Sequence, residues 1–260
     1  LTGLKGPAGI THFFDDLVGD PDLEAGEFDR ARVMANLRSS RSGMNYSVTT
    51  ERDPADPKKV TLVFNEAPAP DADSTDLILQ LGNQGSRFVG RYFADAGLTH
   101  DFSDGTRVAL SYQTAVPELG ESGEGEDYDN YGFKIDRPFS FGLYGLDASH
   151  SQYSRGIDIV TETEGGSGGG LLLDLLEPLG SILSGLLGGG SLTAPTLTTT
   201  HIALEADISR YGLSGEQVLA GDIDYRLSLF ERIEHVDSQI EVSDDTDSVL
   251  LQDEVYSVVE

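Results

Sequence analysis

Few residues in this chain have the types and spacing that chemistry needs. The five histidines, His12, His100, His150, His201 and His235, stand singly, and none pairs at metal-ligand spacing. They read as surface or strand-end residues. The acidic runs 71–76 and 243–247 lack the sixth-position glycine and twelfth-position glutamate of a calcium loop, so they read as solvated loops. The glycine-rich run at 165–170 has no lysine after it and no strand–helix setting, which argues against a phosphate cradle. No Gly–x–Ser–x–Gly elbow stands between a strand and a helix. Asp222 and Asp224 point the same way along one strand and could do acid–base work, but a hydrated face is the simpler explanation. No enzyme chemistry, cofactor or metal is expected. Disulfides, thiolate metal sites and thiol catalysis are excluded, because the chain has no cysteine.

Charge narrows the partners. Asp and Glu number 45 against 17 Lys and Arg, a formal net charge of −28. Nucleic-acid binding draws on Lys and Arg, so no nucleic-acid partner is expected. With 38% hydrophobic residues, the 260-residue chain is too apolar for a disordered acidic polymer, and its length suits one large domain or two small ones. It opens on Leu1 and stops on a strand-like run at 248–260, so a fragment cut at both ends is expected.

Four compositional parts follow one another. In residues 1–70, the stretch 26–37 is an amphipathic helix, with Phe28, Ala31, Val33, Met34 and Leu37 mostly on one side at three- and four-residue spacing. Arg38 and Arg41 at its end suit the helix dipole. Segments 45–52 and 58–66 are β-branched and alternating, and the Pro-containing link 53–57 makes them a hairpin. Together these give part of an α+β domain, closed by an Ala/Pro-rich linker at 67–73. Residues 77–160 hold about five strands, among them 106–113, 131–136 and 141–154. A Gly/Leu/Ser-rich block at 164–196 reads as a loop insertion holding a short amphipathic helix pair. Its Asp174, Glu177 and Pro178 argue against a membrane helix. After it, even positions are apolar across 201–209, odd positions across 219–233. The second run, read as one strand of about fifteen residues, is unusually long.

Such strands fit two solvents. A soluble sandwich buries the apolar face and wets the charged one. A transmembrane barrel gives the apolar face to lipid and the charged face to a wet lumen. Two features favour the barrel. Short turns (101–105, 137–141, 210–217) alternate with long loops (114–128, 155–200), and aromatics such as Tyr112, Tyr131, Phe139, Phe141 and Tyr153 gather near strand ends.

From Leu23 onward the chain resembles the outer-membrane transporters of two-partner secretion, the haemolysin- and filamentous-haemagglutinin-type secretion proteins. Residues 19–37 look like the second helix of that family's last periplasmic POTRA domain, and 45–66 like its closing hairpin. The run 79–92, with Asn83, Gly85, Ser86, Arg87, Phe88, Gly90, Arg91 and Tyr92, is similar to the family's first barrel hairpin and is the most specific match. Segments 106–113, 131–138, 142–153 and 208–233 follow in family order.

The resemblance implies a mainly β chain: a POTRA portion at 1–70, then the N-terminal part of a transmembrane antiparallel barrel at 71–260. About eight of sixteen strands are present, and the family's Val–Arg–Gly–Tyr lumen loop does not occur. It implies an outer-membrane pore with its POTRA portion in the periplasm. The pore would carry a secreted partner exoprotein to the cell surface. From alternation, Arg87, Arg91, Arg107, Asp222, Asp224 and Arg226 are the expected lumen-facing residues. Val60, Leu62 and Phe64 are the expected edge strand, where cargo would add by strand augmentation. A barrel-assembly insertase of the same superfamily and a soluble acidic β-sandwich at the cell surface stay open as alternatives.

Overall fold

A computed structural model describes residues 1–70, 73–83, 92–116, 127–163, 196–221, 226–244 and 247–260, with side chains outside 157–163, 196–200, 220–221 and 226. Two sheets organise them: a three-stranded sheet in the first 68 residues and an eight-stranded antiparallel sheet from Thr75 to Val259. The mainly β class, an α+β unit followed by a barrel-type antiparallel sheet, is the class expected from the sequence.

The first unit runs β1 (Gly3–Lys5), α1 (Ala8–Thr11), a 3-10 segment (His12–Leu17), α2 (Ala25–Arg41), β2 (Met44–Arg52) and β3 (Val60–Pro68). A capping box starts α2: the Glu24 and Glu27 side chains each accept from the other's end of the first turn. Arg38 and Arg41 fall in its last turn, where the dipole favours cations. The core gathers Ile10, Phe13, Phe14 and Leu17 from the opening turns with Met34, Ala35, Leu62 and Phe64. Phe14 sits 4.7 Å from Phe64 and 5.5 Å from Phe28, ring to ring. The opening segment thus supplies much of the apolar filling, which the helical and hairpin patterns downstream did not reveal.

β3 is the middle strand, which corrects the edge-strand expectation for Val60, Leu62 and Phe64. β2 pairs along its whole length on one side, and β1 pairs in parallel on the other, Gly3–Lys5 against Thr61–Val63. Leu62 and Phe64 are buried. An apolar strand flanked by helices on one face belongs at the centre of its sheet, and a three-residue β1 leaves too short a pattern to see. The outer side of β2 is unpaired among the described residues.

Tyr46 on β2 is half-buried, and its hydroxyl is buried with no hydrogen-bond partner among the described residues. Burial pushes the phenol's pKa up, while the Arg32 charge pulls the other way. A buried hydroxyl without a partner carries a desolvation cost and no bond to offset it. Tyr46→Phe is therefore expected to stabilise the unit by about 0.5–1 kcal/mol, read as a higher urea midpoint. A lower midpoint would mean that the hydroxyl has a partner.

The large sheet is a meander: β4 (Thr75–Gly82), β5 (Phe93–Asp101), β6 (Arg107–Ala115), β7 (Asp127–Phe139), β8 (Gly142–Thr163), β9 (Thr196–Gly221), β10 (Arg226–Ser243) and β11 (Ser248–Val259). Turns 102–106 and 140–141 lie at the end next to the α+β unit, the near end, as do the last residue of β9 and the first of β10. At the far end β4, β6, β8 and β10 finish and β5, β7, β9 and β11 begin.

Two strand expectations need correction. Residues 210–217 are not a turn, because β9 runs through them to Gly221. Residues 219–233 are not one strand, because β9 ends and β10 begins within them. The alternation hid this hairpin for a physical reason. A register shift between Leu227 and Ser228 sets Leu229 opposite Gln217 and Ile233 opposite Leu213, so odd positions share a face on both arms. The Gly/Leu-rich block and most of the 79–92 match lie outside the described residues.

Candidate functional site: the two faces of the large sheet

Directly paired residues of antiparallel neighbours share a face, so register alone sorts the side chains. One row reads Leu77, Leu98, Leu110, Phe133, Ala148 and Tyr211 across six strands. Its neighbour toward the near end continues Val108, Ile135, Leu146, Leu213 and Ile233. Leu77, Leu98, Leu110, Phe133, Leu146, Tyr211, Leu213 and Ile233 are exposed. No second layer of protein covers this face among the described residues.

The outer limit of this apolar band is oblique. On β4 it ends at Leu81, on β6 at Tyr112, on β7 at Tyr131, on β9 at Tyr211 and on β10 at Ile233. Leu81 traces through Ala94, Thr114, Asp129, Gln152 and Asp207 to Gln239 on β10. Ile233 is six residues short of Gln239, and β4 to β10 is six steps, so the band slips one residue per strand. One residue of ~3.3 Å against a strand spacing of ~4.8 Å is a tilt of about 35°. That matches the ~35–45° tilt of barrel strands in a membrane. Along β7 the band runs from Tyr131 to Phe139, or ~26 Å of strand at ~3.3 Å per residue and about 22 Å in projection. A lipid-facing band is about 25 Å tall.

Aromatics mark both limits. Tyr112 and Tyr131 pack 4.9 Å apart at the far limit, and the Tyr112 hydroxyl donates to Asp129 at 2.5 Å. Phe139, Phe141 and Tyr144 cluster at the near limit, with ring centroids 5.2–6.3 Å apart. There Arg137 lies over the Phe139 ring and pairs with Asp104 in the adjacent turn at 3.2 Å. Amphipathic rings and long cations take this position where water meets hydrocarbon.

The opposite face is polar over the same height. Arg107 pairs with Asp101 through two bonds of 2.7 and 2.8 Å. Arg232 bonds Glu234 beside it and Asp147 two strands away, both at 2.9 Å. Gly212 lies between Glu234 and Asp147 in the sheet, and a Cβ there would come 2.7 Å from the Asp147 carboxylate. Gln113 donates to Asp95 at 2.6 Å, and Arg210 stands 3.8 Å from Glu234. These groups make a polar face whose arginines are each set against a carboxylate. Among the described residues no three histidines or carboxylates gather as a metal site. His100 and His150 have ordinary partners in Thr75 and Ser209.

Above the tyrosine limit the faces exchange character. On β9 the face that carries Leu213 and Tyr211 continues as Ser209, Asp207 and Glu205, while Ile208, Ala206 and Leu204 occupy the other. β10 does the same: Ile233 gives way to Asp237, Gln239 and Glu241, opposed by Val236, Ile240 and Val242. Neighbouring register keeps the switch in step, since Asp237 pairs with Ser209 and Ile240 with Ala206. Asp127, Asp129, Glu205, Asp207 and Glu241 line a shallow outward cleft of about 270 Å³. The even-apolar run 201–209 and the odd-apolar residues after it thus lie on one strand, in two surroundings.

Of the sequence-derived site residues, Arg107 lies on the polar face. Arg226 pairs through its backbone with Gly221, and its side chain lies outside the description. Arg87, Arg91, Asp222 and Asp224 fall outside the described residues. Asp147, Arg210, Arg232 and Glu234 are the polar-face charges that sequence reading missed. Leu227 and Leu229, which a sandwich would cover, are 55% and 43% exposed. No helix among the described residues is long and apolar enough to cross a membrane, which leaves spanning strands untouched.

No family model and no curated protein matches the chain. Solved structures are similar to it, among them two CdiB proteins. CdiB from Escherichia coli aligns with a TM-score of 0.60 at 14% identity, over 98% of this chain and 40% of that one. CdiB from Acinetobacter baumannii aligns with a TM-score of 0.60 at 12% identity, over 100% of this chain and 41% of that one. The chain therefore has the fold of these CdiB structures, and spans about two fifths of their length.

Proposed function

We propose that this chain is part of an outer-membrane pore that carries a partner exoprotein from the periplasm to the cell surface. The observation that carries the reading is the exposed apolar band, slipping one residue per strand and opposed by ion-paired residues. Lipid is the solvent that suits such a band, and a wet lumen suits the face behind it. The switch above the tyrosines marks the level where strands leave hydrocarbon for water. The α+β unit then serves as a periplasmic POTRA portion at 1–70, and residues 71–260 as barrel. Arg107 would face the lumen, as would Arg87, Arg91, Asp222, Asp224 and Arg226. The fold of CdiB and the resemblance of the 79–92 run to two-partner secretion transporters support the same reading.

Cargo would be captured in extended form by strand addition on the unpaired side of β2, in place of β3. The chain has no cysteine, so single cysteines report cleanly. With a cysteine-bearing exoprotein arrested in transit, Ser47→Cys and Thr49→Cys on β2 should form mixed disulfides. Thr61→Cys on the central strand should not. Equal trapping at all three positions would refute strand addition at β2. Full-length protein in liposomes should conduct ions and pass an unfolded exoprotein, and vesicles that do neither would refute the pore.

A further inference from the structure

Arg38 and Arg41 lie three residues apart at the end of α2, and both reach out of the α+β unit. Arg41 forms an ion pair with Asp136 on the polar face of β7 and donates to the Gly105 carbonyl at 3.2 Å. Both side chains of the pair are 7% exposed. Arg38 pairs with Glu66 of its own unit and donates to the Ser103 carbonyl at 3.1 Å. One short turn between β5 and β6 thus takes a bond from each arginine. Gly105 has φ +84°, and a Cβ there would lie 2.9 Å from the Arg38 Cα, so the turn and α2 touch backbone to backbone. Lys134 stands 4.0 Å from the same Asp136 carboxylate.

A second attachment is apolar. Val218 at the end of β9 belongs to the core of the α+β unit, and Leu143 at the start of β8 packs against it. Beside this attachment lies a cleft of about 280 Å³, lined by Val218 with Phe13, Arg30, Met34, Phe141 and Gln217 among others.

We infer that Arg41 and Asp136 form a releasable latch that fixes the α+β unit over the near end of the polar face, with Val218 and Leu143 as the pivot. Apolar contact is non-directional and tolerates sliding. A buried ion pair holds one geometry, and once a partner is lost the other charge seeks water. Breaking the pair therefore frees the unit to swing about the pivot rather than to dissociate. Arg41 and Asp136 are positioning residues: they set where the β2 edge stands relative to the sheet. That consequence for transport rests on the proposed function, whereas the latch itself does not.

The test is a distance measurement on the full-length protein in lipid, with spin labels at Ser40 on α2 and Asp104 in the turn. The wild type should give one narrow distribution. Asp136→Asn should at least double its width, and the exchange Arg41→Asp with Asp136→Arg should narrow it again. Gly105→Ala, which pushes the turn off α2 without removing a charge, should also broaden it. Retained heat-modifiable migration of each variant checks that the barrel is folded. A narrow distribution in both Asp136→Asn and Gly105→Ala overturns the latch, as does a wild type that is already broad. If the distances behave as expected while no exoprotein is passed, the latch stands and the transport reading falls.

Discussion

Leu110→Arg should cost about 2–4 kcal/mol of folding free energy in a bilayer, the range for arginine near the middle of a lipid-facing strand. Leu110 sits mid-band, with Leu98 and Phe133 beside it in register and 48% of its surface exposed. On β6 it is flanked by Val108 and Tyr112 on the same face. The guanidinium would have no carboxylate within its row and no water. Arginine at Ser111, one residue along and on the polar face, should cost far less, because Asp95 lies on the neighbouring strand and on that same face. Asp129→Arg, on the apolar side but beyond the tyrosine limit, should cost about 0–1 kcal/mol. Urea titrations of folding into vesicles check all three. Equal costs at Leu110 and Ser111 would mean that the two faces share one solvent.

Phe14→Ala should remove about 3–5 kcal/mol from the α+β unit, the range for deleting a buried phenylalanine. Phe14 is fully buried and touches Phe28 and Phe64 from the two elements it joins, the helix and the central strand. Small domains hold about 5–15 kcal/mol in total, so this loss consumes much of the reserve. The large sheet does not depend on that core apart from Val218 and Leu143. Limited proteolysis of the full-length protein should therefore show cleavage within residues 1–68 rising at least tenfold, with the strands from β4 onward still protected. If sheet and unit became sensitive together, the two would be one cooperative body.

The sequence made the apolar band legible through residues such as Leu227 and Leu229, because a two-residue period survives whatever the partner strand does. It made the β2–β3 hairpin and the body of α2 legible too, since each rests on local pattern and turn chemistry. Three things were hidden. β1 is three residues long, so β3 passed for an edge although it sits between two neighbours. The register shift at the start of β10 keeps odd positions on one face of both arms, so a period count does not see the hairpin. The exchange of faces near Tyr211 was present as two separate observations, even positions apolar in 201–209 and odd positions later. Only continuity of β9 through 210–217 joins them into one strand crossing two surroundings. The latch was out of reach for another reason: Arg41 and Asp136 are 95 positions apart, and no pattern on either element announces the other.

The most direct measurement places single cysteines along 202–213 in the otherwise cysteine-free chain, labels each with a fluorophore, and quenches with lipids brominated in the acyl chain. Quenching should be strong at Leu213 and Tyr211, weak at Gly212 and Arg210 between them, and absent from Ile208 to Ile202 on either face. Uniform quenching along the segment, or quenching strongest at the even positions, would contradict a lipid band that ends at Tyr211.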